Sequence, residues 1–138
     1  VRWGGEEVLA VARDTDRVRA EELAERMRAV VAATPFRLDD GHELAVTCSI
    51  GFACLPFEPD RPMARSWQQV VNLADRGLYA AKRAGRDAWV GVHAATTGPA
   101  VGPRADAGLR VSSNRALDDV AGALSAAASA TASGTLAG

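Results

Sequence analysis

The chain has 138 residues, 48% hydrophobic and 24% charged, with a formal net charge of -1. Near-neutrality with scattered signs excludes the basic face that a nucleic-acid backbone would need, so no nucleic-acid partner is expected. It holds neither a run of about eighteen apolar residues nor a basic start followed by an apolar stretch, so no membrane contact or export is expected from this segment.

The first eight residues, Val1-Arg2-Trp3-Gly4-Gly5-Glu6-Glu7-Val8, put two glycines and two carboxylates into a strand-like stretch. Glycines suit a tight hairpin turn because they accept positive φ and leave no Cβ to obstruct a ligand near the backbone. Adjacent carboxylates offer hard oxygen ligands to Mg2+. Val8 to Ala12 reads as the strand leaving the turn. On its own the pattern reads equally well as an ordinary turn with solvated acids.

Thr15 or Asp16 is placed to cap a helix with the apolar stripe Ala20, Leu23, Ala24, Met27, Val30 and Val31, ended by Pro35. Its other face, with Arg17, Glu21, Glu22, Glu25 and Arg28, reads as solvated. After a turn at Asp39-Asp40-Gly41, the alternation of Leu44, Val46, Cys48, Ile50, Phe52 and Cys54 with small residues predicts one strong central strand. Cys48 and Cys54 lie on the same face of it and lack metal-ligand spacing, which points to reduced core thiols in a cytoplasmic domain.

Pro56, Pro59 and Pro62 mark an exposed connection, and Ser66-Trp67-Gln68-Gln69 has the form of a capping box. The second helix carries Trp67, Val70, Val71, Ala74, Leu78 and Ala81 on one stripe. It stops at Gly85, with Lys82 and Arg83 in the last turn, where the helix dipole favours cations. Ala88 to Val92 predicts a closing strand. The order β-α-β-α-β over about ninety residues gives an α/β fold. Trp3, Trp67 and Trp89 read as packing residues, Tyr79 as half-buried, Asp75 as structural, and His42 and His93 as surface histidines. From Ala94 onward the composition turns to Ala, Gly, Ser and Thr, which predicts a disordered tail over 94–138; residues 117–132 have helical propensity but few large apolar side chains.

Three segments in this order carry a family resemblance: Arg2-Trp3-Gly4-Gly5-Glu6-Glu7-Val8, Thr47-Cys48-Ser49-Ile50-Gly51, and Ala74-Asp75-Arg76-Gly77-Leu78-Tyr79-Ala80-Ala81-Lys82-Arg83-Ala84-Gly85-Arg86-Asp87. Together they resemble the GGDEF domain of bacterial diguanylate cyclases over residues 1–93. The departure is Val8, a smaller β-branched residue where the family signature has Phe. The resemblance implies a palm-like nucleotidyl cyclase fold, an antiparallel-containing sheet flanked by helices, with the N-terminal part of the domain absent from this chain. The family's first metal-binding Asp, its guanine-reading residues and its inhibitory site would all lie in that part. Without the strand it supplies, the remaining piece is expected to expose strand edges and apolar surface and to be poorly stable alone.

The resemblance also implies condensation of two GTP molecules to cyclic di-GMP with release of pyrophosphate, in a homodimer of two such domains and with Mg2+, or alternatively Mn2+. Glu6 and Glu7 would be the catalytic and metal-binding acids. Gly4 and Gly5 would let the nucleotide approach the backbone, while Lys82 and Arg86 would contact its phosphates. Read without the family, Lys82 and Arg86 only complement the helix end. Two other readings stand beside the cyclase: a degenerate regulatory module that binds GTP or cyclic di-GMP, and a truncated product without either activity. A membrane-anchored parent protein is compatible with all three.

Overall fold

Small residues on one face of a strand allow a helix to approach to backbone contact, and Gly51 does this here. The structure is a computed structural model that describes residues 1–95, 104–106, 109–116, 118–122 and 124. In it, strand β5 (Ile50–Ala53) lies against helix α2 (Trp67–Arg83), which crosses over to β6 (Trp89–Ala94). Strands β5 and β6 are parallel, from Ile50 opposite Trp89 to Ala53 opposite Val92. Gly51 and Gly77 form the contact between helix and sheet. A Cβ on Gly51 would overlap the Ala74 carbonyl oxygen and the Leu78 amide nitrogen, and one on Gly77 would lie 2.8 Å from the Val90 carbonyl oxygen. Around this contact Val70, Leu73, Ala80 and Ala81 of α2 pack on Val90 and Val92, which are fully buried.

Both long helices start as their local sequence predicts. Asp16 caps α1 (Arg17–Ala33) by accepting from the Arg19 amide at 2.9 Å. At α2 the capping box is complete: Ser66 Oγ accepts from the Gln69 amide at 3.3 Å and Gln69 Oε1 from the Ser66 amide at 2.8 Å. The helices differ in how far their apolar stripes are covered. Val70 and Ala81 of the α2 stripe are buried, but Trp67 is 54% exposed. On α1 only Ala24 is buried, and Met27 and Val30 remain 43% and 59% exposed.

The strand expected over 44–54 forms in two pieces. Leu44 belongs to β4 (Glu43–Leu44), which pairs antiparallel with β3 (Phe36–Arg37), and the sheet strand begins only at Ile50. Among the described residues 45–49 take no strand pairing, and an extended chain is held only where its amide and carbonyl groups find a ladder.

The expectation of disorder from Ala94 onward does not fit the described part of that stretch. Strand β8 (Leu109–Ser113) pairs antiparallel with β6 from Ala94 opposite Leu109 to Val90 opposite Ser113, and β7 (Arg104–Asp106) pairs with β8. The sheet order is β5-β6-β8-β7. Leu109 is buried, as are Val120 and Leu124 from a helical segment further on. The open edge of β6 and a few well-spaced apolar residues suffice to recruit a stretch whose composition is otherwise biased. The other residues of the expected tail lie outside the described ones.

His93 also departs from its expected surface position. Strand β6 runs beyond Val92, and β8 covers its end, leaving His93 only 8% exposed. Its Nε2 lies 2.8 Å from Ser112 Oγ and its ring meets Phe52 edge-on. Burial, with a smaller effect from Arg17, pushes its pKa down to about 4. Between the ordinary value of 6.5 and 4 the unfolded chain binds the proton and the folded chain does not. Stability is therefore complete above the unfolded value and falls as pH drops towards 4, with a loss of about 2 kcal/mol by pH 5. Urea denaturation at pH 7.5 and pH 5 should show this slope in the native chain and a flatter one in His93→Gln.

Candidate active site

A hairpin holds the acidic motif. Strand β1 (Arg2–Gly4) pairs with β2 (Glu7–Val8), with Arg2 opposite Val8 and Gly4 opposite Glu7 across an irregular register. Gly5 and Glu6 form the turn, and Gly5 takes φ +53, a conformation that favours glycine. Arg2 Nε donates to the Gly5 carbonyl at 3.0 Å, and reciprocal bonds of 2.8 Å between Val1 and Leu9 close the base of the hairpin. The strand expected through Ala12 is confined to Glu7–Val8. Among the described residues beyond the chain neighbours, no atom lies within 4 Å of a Cβ built on Gly4 or Gly5, so the backbone there is open to approach.

The two acids have different surroundings. Glu6 is exposed at the tip of the turn, whereas Glu7 points towards the end of α2. There Lys82 Nζ donates to Glu7 Oε1 at 2.7 Å, with both side chains about one-third exposed. This bond joins the first and third motif segments, 75 residues apart in sequence. Beneath the hairpin a cleft of about 70 Å³ opens between Trp3, Glu7 and Val8 on one side and Val71, Asp75 and Leu78 on the other. Asp75 thus lines the cleft. Trp3, expected to pack, is 54% exposed beside it, and Tyr79 is 41% exposed. Among the described residues no three acidic, histidine or cysteine side chains gather as a metal cluster.

Arg86 lies beyond the C-cap of α2, four residues after Lys82, where the chain turns sharply. Gly85, Arg86 and Asp87 take φ of +103, +58 and +46 in succession. The Arg86 amide donates back to the Ala81 carbonyl at 3.1 Å. Arg28 Nη1 donates to Asp87 Oδ1 at 2.7 Å while its other nitrogens bond Glu25 at 3.0 and 2.7 Å. Glu25 also accepts from Trp89 Nε1 at 3.0 Å. The Arg28 guanidinium and the indole N–H hold the Glu25 carboxyl below its ordinary range, against the opposing effect of burial. Glu25 and Arg28, read from sequence as part of a solvated face, therefore tie α1 to β6 and to the loop that carries Arg86. Helical periodicity places them away from the apolar stripe but does not reveal partners this distant.

Two adjacent carboxylates thus sit at a glycine turn; one of them, Glu7, pairs with Lys82 at the end of α2, and Arg86 follows in the loop beyond. The model of the diguanylate cyclase, GGDEF domain matches residues 1–88, and the chain belongs to this family. It is 42% identical over 91 residues to the response regulator PleD of Caulobacter vibrioides, covering 65% of this chain and 19% of that protein. It is 41% identical over 86 residues to the diguanylate cyclase DgcP of Pseudomonas aeruginosa, covering 62% of this chain and 12% of that protein. To the diguanylate cyclase DosC of Escherichia coli it is 33% identical over 86 residues, covering 62% of this chain and 17% of that protein. The chain thus spans a fifth or less of the length of these relatives. No solved structure matches it.

Proposed function

We propose that this chain carries part of the active site of a diguanylate cyclase, in which two GTP molecules condense to cyclic di-GMP. Each ribose 3'-hydroxyl attacks the α-phosphate of the other nucleotide, each α–β phosphoanhydride bond breaks, and pyrophosphate leaves. The observation that carries this reading is the Glu7–Lys82 bond, which brings acid and cation from distant motifs to one place. Lys82 supplies a point charge and Arg86 a fork, a sensible pair for a triphosphate. Gly4 and Gly5 leave the backbone clear for the nucleotide.

Glu6 and Glu7 are adjacent hard-oxygen donors, a set that fits Mg2+, or alternatively Mn2+, because such ions take one or two carboxylates together with substrate phosphates. When bound, the ion supplies Lewis-acid stabilisation of phosphate charge and a lower pKa for the attacking hydroxyl. In this reading Glu6 also accepts the hydroxyl proton. Glu7 is neutralised by Lys82, and a metal-bound triphosphate would offer each of them a stronger partner.

The reaction needs two loaded domains face to face, so we propose a homodimer. We place the domain in the cytoplasm, where GTP is available; no helix among the described residues is long and apolar enough to cross a membrane. A cyclase of this kind should show a rate per protomer that climbs with protein concentration as dimers form. The regulatory-module reading has its own support: Val8, in the position after the acids, is 73% exposed and does not anchor the turn. That module would bind GTP or cyclic di-GMP and form no product at any concentration.

Lys82→Ala is expected to raise the KM for GTP by about 10-fold to 100-fold, since a charge-assisted contact is lost and Glu7 is left without its partner. Steady-state kinetics at saturating Mg2+ would measure this, with Lys82→Arg recovering part of the loss.

A further inference from the structure

Asn114 and Arg115 lie beyond the residues matched by the family model, yet they reach back to the loop that carries Arg86. Arg115 Nη2 donates to the Arg86 carbonyl at 3.0 Å and to the Asp87 carbonyl at 3.3 Å. Arg86 and Asp87, at φ +58 and +46, are two of the three described non-glycine residues in the left-handed region, the other being Asp14. Non-glycine residues stay in that region when surrounding contacts over-determine it. Here the contacts come from two directions: Arg28 bonds the Asp87 carboxylate at 2.7 Å, and Arg115 bonds the two carbonyls.

Arg115 is itself held. Its amide donates to Ser113 Oγ at 3.0 Å, at the end of β8, and Asn114 Oδ1 accepts from the Trp89 amide at 2.9 Å. Asn114 Nδ2 also reaches Glu25 Oε2 at 3.4 Å, the carboxylate that orients Arg28. The turn after β8 is therefore bonded to β6 and to Glu25 of α1, and the Arg115 guanidinium bonds the backbone at Arg86 and Asp87.

We propose that Arg115 is a positioning residue for substrate binding: by bonding the Arg86 and Asp87 carbonyls it fixes the left-handed turn from which Arg86 reaches the triphosphate. This inference rests on the reading of Arg86 as a phosphate contact. It assigns to the segment after the family match a part in GTP affinity, exerted through the loop and not by touching the nucleotide.

The test is a double-mutant cycle in the native full-length protein, with affinity for 3'-deoxy-GTP and Mg2+ measured by calorimetry. This nucleotide lacks the attacking hydroxyl, so binding is read without turnover. Arg115→Ala and Arg115→Gln should each weaken binding by about 5-fold to 10-fold, in keeping with the loss of a charge-assisted hydrogen-bond pair. In an Arg86→Ala background the same changes should alter affinity by less than about 2-fold, because positioning matters only while Arg86 is present. Melting curves select the variant that stays folded, and Arg115→Lys, with one donor group on a flexible stem, should fall between. Weaker binding in Arg86→Ala with native affinity in both Arg115 variants would overturn this inference alone. Losses that simply add in the double variant would overturn it as well, in favour of a general structural role. Native affinity in Arg86→Ala itself would overturn the phosphate-contact reading, and this inference with it.

Discussion

Replacing Glu6 by alanine is expected to lower cyclic di-GMP formation by about 100-fold or more while leaving the fold and the dimer unchanged. The fold should survive because Glu6 is exposed at the tip of the turn, whose shape depends on Gly5 at φ +53 and on the Arg2 bond to the Gly5 carbonyl. Activity should not survive, because one of the two adjacent carboxylates proposed to hold the metal is gone. Removing a single group that stabilises transition-state charge at such sites costs on the order of 10²–10³ in rate. Glu6 is a cleaner probe than Glu7, whose loss would also leave Lys82 without the partner it holds at 2.7 Å. Product quantified by chromatography, beside a melting curve and a sedimentation profile, would check both halves of the expectation. Unchanged turnover in a folded dimeric Glu6→Ala would remove Glu6 from the chemistry.

The second large effect belongs to the scaffold. Gly51→Ala is expected to destabilise the protein by at least about 3 kcal/mol and to lower its melting temperature by roughly 10 °C or more. The added methyl would meet the Ala74 carbonyl oxygen and the Leu78 amide nitrogen of α2. These are backbone atoms inside a helix and cannot swing aside as a side-chain tip can. The helix would have to lift from β5, opening the contacts of Val70, Leu73, Ala80 and Ala81 with the sheet. Lys82 rides on the same helix, so its bond to Glu7 would shift with it. Gly122→Ala is the control: among the described residues beyond its chain neighbours nothing lies within 4 Å of a Cβ built there, so the change should stay within about 1 kcal/mol. Circular dichroism melts of the two variants would separate these outcomes, and equal melting temperatures would contradict the close approach at Gly51.

What was legible in the sequence was mostly local. The capping box at Ser66 and Gln69, the cap at Asp16 and the tight turn at Gly5 each depend on chemistry within a few positions, and each forms. Periodicity found both helices and the small-residue face of β5. It misjudged coverage: α1 has an apolar stripe, but Met27 and Val30 stay exposed. It also misjudged continuity, since residues 45–49 alternate as a strand yet take no ladder.

The fate of His93 depended on β8, which composition had assigned to a disordered tail. A strand of five residues that pairs with an available edge leaves little trace in the average composition of residues 94–138. The candidate site was legible only through family resemblance, because no spacing rule links Glu7 to Lys82 across 75 residues. The support beneath Arg86 was not legible at all. Arg28, Asp87, Asn114 and Arg115 come from three separate stretches and meet only in the folded chain.

The central claim is best tested by the stoichiometry of the native full-length protein incubated with GTP and Mg2+. Consumption of two GTP for each cyclic di-GMP formed, with two pyrophosphates released, is the expected result. GTP that binds and is recovered unchanged from a folded, dimeric protein would contradict the cyclase assignment and leave the nucleotide-binding module in its place.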